Sequence, residues 1–481
     1  MTDPSTVPTP VRTAARLAGA AADEREPSHE RNRRYGIREG AFQAVAQGGG
    51  ENYLSAFALF LHATPVQIGI LSSLPQLIGT WAQLVSVKAL NRVSHRKPLI
   101  LLGTAGQAAL WLPILILPLL FSWAAPWLLI IVATLQVAMG HLAIPAWNSL
   151  ITDFVVPNGR GAYFARRARL MAVASFCAMF AAGLLLDVGR SSAVPWIGFA
   201  LIFLAAAVAR SLSAYCLTQI DERAASAPRE THGRFLEFLR RSSNQDFRRF
   251  LLFSGLMHVC VLIAGPFFVV YMLRDLHLSY LQYAAWLAAG TCGQFVALKP
   301  WGRISDRFGN KRVIAVTGWA VPFLPMLYLL STNLVFLLAV NFLGGVIWAG
   351  MTLGLQNYVF DAVRAEDKAK GVAVTNAINA AGWIVGALIG SWLTAVTPST
   401  ASIAFLPLEL HPVSNLPLVF LISGLLRLAV SATLLGTFRE PRAVEPVSPV
   451  HLVREFAPTT CSFRSSARDA LTPGGGQLRQ T

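Results

Sequence analysis

The chain has 481 residues, of which 54% are hydrophobic and only 13% charged. Soluble domains carry roughly 25% charged residues, so this composition excludes a soluble multidomain enzyme and favours an exterior that faces lipid. The net charge of +16 would suit nucleic acid only if the basic residues shared one solvated face; they lie in short loops between apolar runs, which is the membrane pattern instead.

Residues 1–35, rich in Ala, Pro, Thr and charge, hold no apolar core long enough for a signal peptide and are expected to be a disordered cytoplasmic leader. A span needs about 20 mostly apolar residues. Six such spans are predicted at Ile37–Leu61, Val66–Val87, Pro98–Phe121, Ala125–Thr152, Leu170–Asp187 and Pro195–Leu217. A cytoplasmic loop, 218–247, follows, and its FLEFLRR stretch reads as a short amphipathic helix. Six more spans are predicted at Phe250–Leu273, Ser279–Leu298, Val313–Leu330, Leu334–Tyr358, Val372–Val396 and Leu416–Phe438, before a Pro/Ser/Arg-rich tail, 440–481, expected to be disordered. The expected fold is an all-α integral membrane protein of twelve transmembrane helices, in bundles spanning 36–217 and 248–439.

The even-numbered loops carry almost all the basic residues, among them Lys88, Arg92, Arg96, Lys97, Arg166 and Arg167, while the odd-numbered loops hold only Arg190 and Arg274. Basic loops stay inside, so both termini are expected in the cytoplasm of a cell with the protein in its inner membrane. Five cysteines show no CxxC pair and no metal-ligand spacing, so neither a disulfide framework nor a metal or other cofactor is expected.

Three features recur 208–217 positions apart. Asn91-Arg92 after span two matches Asp306-Arg307 after span eight. Asp153 at the end of span four matches Asp361 at the end of span ten. Arg210 in span six, ahead of Asp221-Glu222, matches Arg427 in span twelve, ahead of Arg439-Glu440. Order and spacing together indicate a duplicated six-helix unit.

The segment Gly302-Arg303-Ile304-Ser305-Asp306-Arg307-Phe308-Gly309-Asn310-Lys311-Arg312 resembles the signature loop of the major facilitator superfamily, G-x-x-x-D-R-x-G-x-K/R-K/R, in its second copy. The first copy is degraded, with Val87, Asn91 and Ser94 at the Gly, Asp and Gly positions. The Gly-Pro antiporter motif of span five and an Arg in the middle of span four are absent, which speaks against a drug/proton antiporter. The resemblance implies two pseudo-symmetric bundles around a central cavity lined by spans one, four, seven and ten. It also implies a secondary transporter of a small solute working by alternating access. Asp306 is expected to latch onto backbone N–H groups or onto Arg166 or Arg167, with Gly302 and Gly309 permitting close approach and a tight turn.

Span one carries Glu39, Gln43, Gln47 and Glu51 every four residues, beside Gly48-Gly49-Gly50, where a helix can break. A mid-membrane carboxylate such as Glu51 costs at least about 2.5 kcal/mol unless it meets a cavity or a partner. With no cation in the middle of spans four, seven or ten, Glu51 is the candidate for proton or cation coupling; a permanently protonated, hydrogen-bonded Glu is the structural reading. His141 and His258 are further candidates, weighed evenly against packing. Asn52, Gln136, Trp147, Asn148, Asn341, Trp348 and Asn357, with Gln43 and Gln47, are the candidates for lining a substrate cavity. Arg210, Arg427, Asp153 and Asp361 are expected to be buried structural charges, the arginines pairing with Glu39, Asp153 or Asp361. Gly382, Gly386 and Gly390 read as a helix-packing stripe.

The resulting expectation is a monomeric, proton-coupled permease for a neutral or cationic solute. A non-transporting sensor or scaffold on the same fold is the alternative. A membrane-embedded transferase is disfavoured, because neither HExxH nor GxSxG occurs, and the missing P-loop argues against ATP drive.

Overall fold

The computed structural model describes residues 25–442 and Val444, apart from 91, 94, 121–123, 156–159, 191–193, 223–244, 365–366, 398–413 and 443. Of the leader expected to be disordered over 1–35, residues 1–24 lie outside these described residues, as do the FLEFLRR stretch, Asn91, Ser94 and nearly all of the tail. Residues 25–35 are instead helical, with Asn32 buried and bonded to the Asp221 carbonyl oxygen.

Two compact units are present: Met1–His232 with Met272–Ala284, and Gly233–Tyr271 with Ala285–Thr481. The first takes in 272–284 because the Asp187 carboxylate accepts hydrogen bonds from the backbone N–H groups of Tyr280 (2.7 Å) and Leu281 (3.0 Å), and Tyr53 meets Tyr283 edge-on.

Unit 1 begins with α1 (Arg25–Gly49), which breaks at the glycine run into a 3-10 turn, Glu51–Tyr53, and resumes as α2 (Leu54–Phe60). Close packing explains those glycines: a Cβ on Gly48 would sit 2.2 Å from the Ser175 carbonyl oxygen. Next come α3 (Pro65–Leu90), α4 (Lys97–Ala109), α5 (Trp111–Leu120), α6 (Ala125–Phe154), α7 (Arg160–Arg190) and α8 (Trp196–Thr218). Unit 2 follows with α9 (Gln245–Ala264) and the short α10 (Phe267–Val270), and a π turn, Tyr271–Asp275, leads into the 272–284 segment of unit 1. Unit 2 resumes at Ala285 within α11 (Tyr280–Phe308) and continues through α12 (Asn310–Ala320), α13 (Phe323–Leu327), α14 (Leu334–Ala362), α15 (Lys368–Val396) and α16 (Leu416–Leu434).

These pieces form twelve helical rods, since α1 with α2, α4 with α5, α9 with α10 and α12 with α13 each follow one predicted span. Among the described residues nine helices are long and apolar enough to cross a membrane. The other three rods have local reasons. The first is polar along much of α1, α11 mixes Gln282, Gln294 and Tyr residues into its apolar run, and the ninth breaks after Ala320 ahead of Pro322.

Packing repeats between the units as the sequence does. In unit 1, α1 lies against α7 and α8, and α4 against α6; in unit 2, α9 lies against α15 and α16, and α12 against α14. The Gly382/Gly386/Gly390 stripe receives the α9 backbone, since a Cβ on either of the last two would stand 2.2 Å from a carbonyl oxygen of Val259 or Ile263. Trp81, Val173 and Trp392 are 60–61% exposed, as expected of side chains that face hydrocarbon rather than water.

Helix starts repeat too. Thr64 and Gln67 form a reciprocal capping box ahead of α3, with Thr64 N–H donating to Gln67 Oε1 at 2.8 Å and Gln67 N–H to Thr64 Oγ1 at 3.3 Å. Ser279 and Gln282 form the same box ahead of α11, at 2.9 and 3.2 Å.

Candidate functional site

The polar residues of span one converge on a buried ionic run inside unit 1. Glu39, 4% exposed on α1, accepts hydrogen bonds from Arg167 Nη2 of α7 at 2.8 Å and from Ser213 Oγ of α8 at 3.3 Å. Arg210 Nη1 stands 3.8 Å from the same carboxylate and donates to Ser213 Oγ at 2.9 Å. Arg210 Nε donates to Gln107 Oε1 at 2.8 Å, and Gln107 Nε2 donates to Glu51 Oε1 at 3.0 Å. The order is therefore Arg167, Glu39, Arg210, Gln107, Glu51, two cations and two carboxylates joined through one amide. Helix α4 supplies Gln107, α8 supplies Arg210 and Ser213, and the break after Gly49 turns Glu51 toward them.

Glu51 thus has a cation at one remove, Arg210 through Gln107, and the sequence expectation of a carboxyl without one is corrected. The expectation counted only spans four, seven and ten; Gln107 and Arg210 stand on spans three and six. Gln107 and Ser213 carry no motif and escaped notice, although a buried amide and an arginine in otherwise apolar spans are the kind of residue that must find partners.

The other candidates are dispersed. Gln43 is half-buried, while Gln47, Asn52 and Asn148 are exposed. Trp147 lies beneath the Arg167 guanidinium at 5.6 Å. Gln136, placed by sequence on a substrate cavity, is instead fully buried at 0% exposure, with no partner for either amide atom among the described residues. His141 packs its ring on Gly79, and His258 Nδ1 lies 2.7 Å from the Ser254 carbonyl oxygen. In unit 2, Asn341 donates to the Trp286 carbonyl oxygen, and Asn357 is half-buried.

Two structural expectations change. Asp153 and Asp361 are partly exposed charges at the basic ends of α6 and α14, where Arg96 pairs with Asp153, and Arg442 Nε with Asp361 at 2.7 Å. Their partners are thus loop arginines, because the aspartates end their helices too far along to meet Arg210 or Arg427. Arg427, 3% exposed on α16, pairs with no carboxylate among the described residues. Its Nη atoms make only long bonds to the carbonyl oxygens of Val321 (3.4 Å) and Val261 (3.3 Å), and its Nε has no partner.

At the signature loop, Gly309 adopts φ +88° and makes the tight turn, whereas a Cβ on Gly302 would meet nothing within 4 Å, so no close approach requires that glycine. Asp306 is exposed, and Arg307 lies over the Phe308 ring at 4.9 Å. Arg167, offered by sequence as a partner for Asp306, points into unit 1, where its Nε also donates to the Gly36 carbonyl oxygen at 3.1 Å. Arg92 is exposed.

The model of the Major Facilitator Superfamily matches residues 40–269 and 250–466. The chain is 29% identical over 127 residues to the Staphyloferrin B transporter of Staphylococcus aureus (strain NCTC 8325 / PS 47), covering 26% of this chain and 29% of that protein. It is 27% identical over 133 residues to a probable peptide/nitrate transporter of Arabidopsis thaliana, covering 26% and 27%. The chain therefore spans less than a third of the length of these relatives. Solved structures share the fold at low identity. The nucleoside transporter NupG superposes with a TM-score of 0.62 at 13% identity, covering 85% of this chain and 99% of that one. A bacterial homologue of the iron transporter ferroportin, in an inward-facing state, gives 0.62 at 15%, covering 84% and 99%.

Proposed function

The chain belongs to the major facilitator superfamily, and from that premise we propose that it carries a small solute across the membrane by alternating access, drawing on a proton gradient. The basic ends of the helices face the cytoplasm, the membrane is the inner one, and the working unit is a monomer. Family membership supports transport; the observation that carries the proton reading is the run from Glu51 through Gln107 and Arg210 to Glu39.

Such a run gives a proton a consequence. As a carboxylate, Glu51 accepts a charge-assisted hydrogen bond from Gln107, and Gln107 in turn presents its oxygen to Arg210. Protonating Glu51 weakens the first bond. The amide then holds Arg210 less firmly, and the balance among the helices that meet at the break in span one shifts. A switch needs only such a differential between two packings.

The experiment is uptake into proteoliposomes under an imposed pH gradient. The solutes are the classes named for the similar proteins: nitrate, short peptides, nucleosides, staphyloferrin B and iron. One class should accumulate, lose accumulation with a protonophore, and lose the gradient dependence in Glu51→Gln. Folded protein that moves none of them above empty liposomes speaks against transport of these classes. Uptake with unchanged pH dependence in Glu51→Gln overturns the role given to that residue.

A further inference from the structure

Arg427 stands where the internal repeat places Arg210, but its surroundings differ. At the spacing of 215 residues that relates the two capping boxes, Glu39 corresponds to Ser254 and Gln107 to Pro322; at the 217 that separates Arg210 from Arg427 they correspond to Leu256 and Leu324, so at either spacing no carboxylate or amide stands there. Unit 2 has therefore kept the arginine and lost both the carboxylate and the amide that engage it in unit 1. A guanidinium has five N–H donors in a fixed fork. Here they find two carbonyl oxygens at 3.3–3.4 Å, longer than the usual 2.9–3.0 Å, and nothing at Nε.

The side chain lines a cavity of about 400 Å³ that lies wholly within unit 2. Its walls include Phe268, Trp286, Tyr328 and Trp348, with Asn341 as a polar member, while Thr291 and Gln294 are exposed at its rim. The volume falls in the range of roughly 300–1,000 Å³ typical of small-molecule sites, which pair apolar aromatic walls with a few polar anchors. A buried, unpaired charge is retained at a cost in stability, and a ligand of opposite charge is what offsets that cost.

We propose that this cavity binds a small organic anion, its carboxylate taken by the Arg427 fork and its apolar body by the rings of Phe268, Trp286 and Tyr328. Phosphate or sulfate alone would satisfy the guanidinium and leave the aromatic walls bare, so an amphiphilic acid is the better fit. A two-chain acidic lipid offers the same chemistry from another source, but exceeds the cavity. The site does not rest on the transport reading, and its ligand carries the opposite charge to the neutral or cationic solute expected from Glu51.

The test is equilibrium binding of radiolabelled 4-phenylbutyrate to the purified full-length protein in detergent. Unlabelled acid, 4-phenylbutyramide, sodium sulfate and phosphatidylglycerol serve as competitors. Saturable binding is expected, with the acid competing about ten- to a hundred-fold better than the amide or sulfate. Arg427→Met should weaken binding by a similar factor. Gly344→Leu should weaken it without touching the charge, because a Cβ at Gly344 has its nearest neighbours at 3.9 Å and the longer side chain fills the cavity. Equal competition by acid and amide, unchanged binding in Arg427→Met, or no saturable binding to folded protein overturns the proposal. Phosphatidylglycerol competing better than the free acid overturns the assignment to a water-borne solute.

Discussion

At the basic end of unit 1, Glu222 accepts hydrogen bonds from the backbone N–H groups of Arg96 and Lys97, while Lys97 Nζ donates to the carbonyl oxygens of Thr218 and Ile220. At the basic end of unit 2, Glu440 accepts from the Lys311 N–H at 2.7 Å, and Lys311 Nζ donates to the Leu435 carbonyl oxygen. In each unit the carboxylate after the last helix caps the third, a favourable place for negative charge. An arginine beside it holds the aspartate ending the fourth helix in unit 1 and its counterpart in unit 2. The middles do not match. Arg210 is embedded in ion pairs and hydrogen bonds, whereas Arg427 faces a cavity. Duplication has preserved what locks a bundle shut and let its interior diverge, as expected if the ends carry stability and the interiors carry chemistry.

The comparison breaks first at the two arginines. Arg210→Met leaves Glu39 with one of its cations gone, and should cost about 3–5 kcal/mol of stability. Arg427→Met removes a charge with no carboxylate and should be neutral or stabilising. Thermal unfolding of the two variants in the same detergent decides it, and equal losses would mean that the arginines are equivalent after all.

Next come the ends. Glu222→Gln and Glu440→Gln should each cost about 1–2 kcal/mol, as lost helix caps do, and by similar amounts. A loss confined to one unit would show that the likeness of the ends is only geometric. The capping boxes test the sequence repeat rather than the two units: Thr64→Ala and Ser279→Ala, 215 residues apart, should each cost about 1 kcal/mol.

The smallest effect concerns pH. Lys311 precedes the membrane-spanning part of α12 from Val313 onward, and burial pulls its ammonium down to about 8 despite the opposing pull of Glu440. The unfolded chain then binds more protons at this group than the folded one between about pH 8 and 10.5, so stability should rise with pH across that window. Chemical denaturation at pH 7.5 and 9.5 would show a rise in wild type that is smaller in Lys311→Met.

Much of this was legible in the sequence because it follows from period and spacing. Twelve apolar runs, basic residues in alternate loops and pairs such as Arg210/Arg427 need no coordinates. The break at Gly48–Gly50 and the stripe from Gly382 to Gly390 were legible because glycine has few other reasons to recur in a membrane helix. What escaped was partnership across helices. Nothing along the chain tells that Gln107 joins Glu51 to Arg210, that Gln136 is sealed away, or that Asp153 and Asp361 take loop arginines. Which helix face meets which is settled by packing, and half a turn of rotation about the axis redirects every polar atom.

The caps at the basic ends also bear on how the protein is made. Each third helix waits for a glutamate that is synthesised only after the sixth helix of its unit has emerged. The first bundle can therefore be closed by Glu222 while the second is still on the ribosome, and the second stays open until Glu440 is added. A chain released at Phe438 would have every membrane helix and lack the carboxylate that fastens the last of them to the third. Quality control of such a product would see a complete but unclasped bundle, and the residues just after the last helix, dispensable by hydropathy, would decide whether it survives.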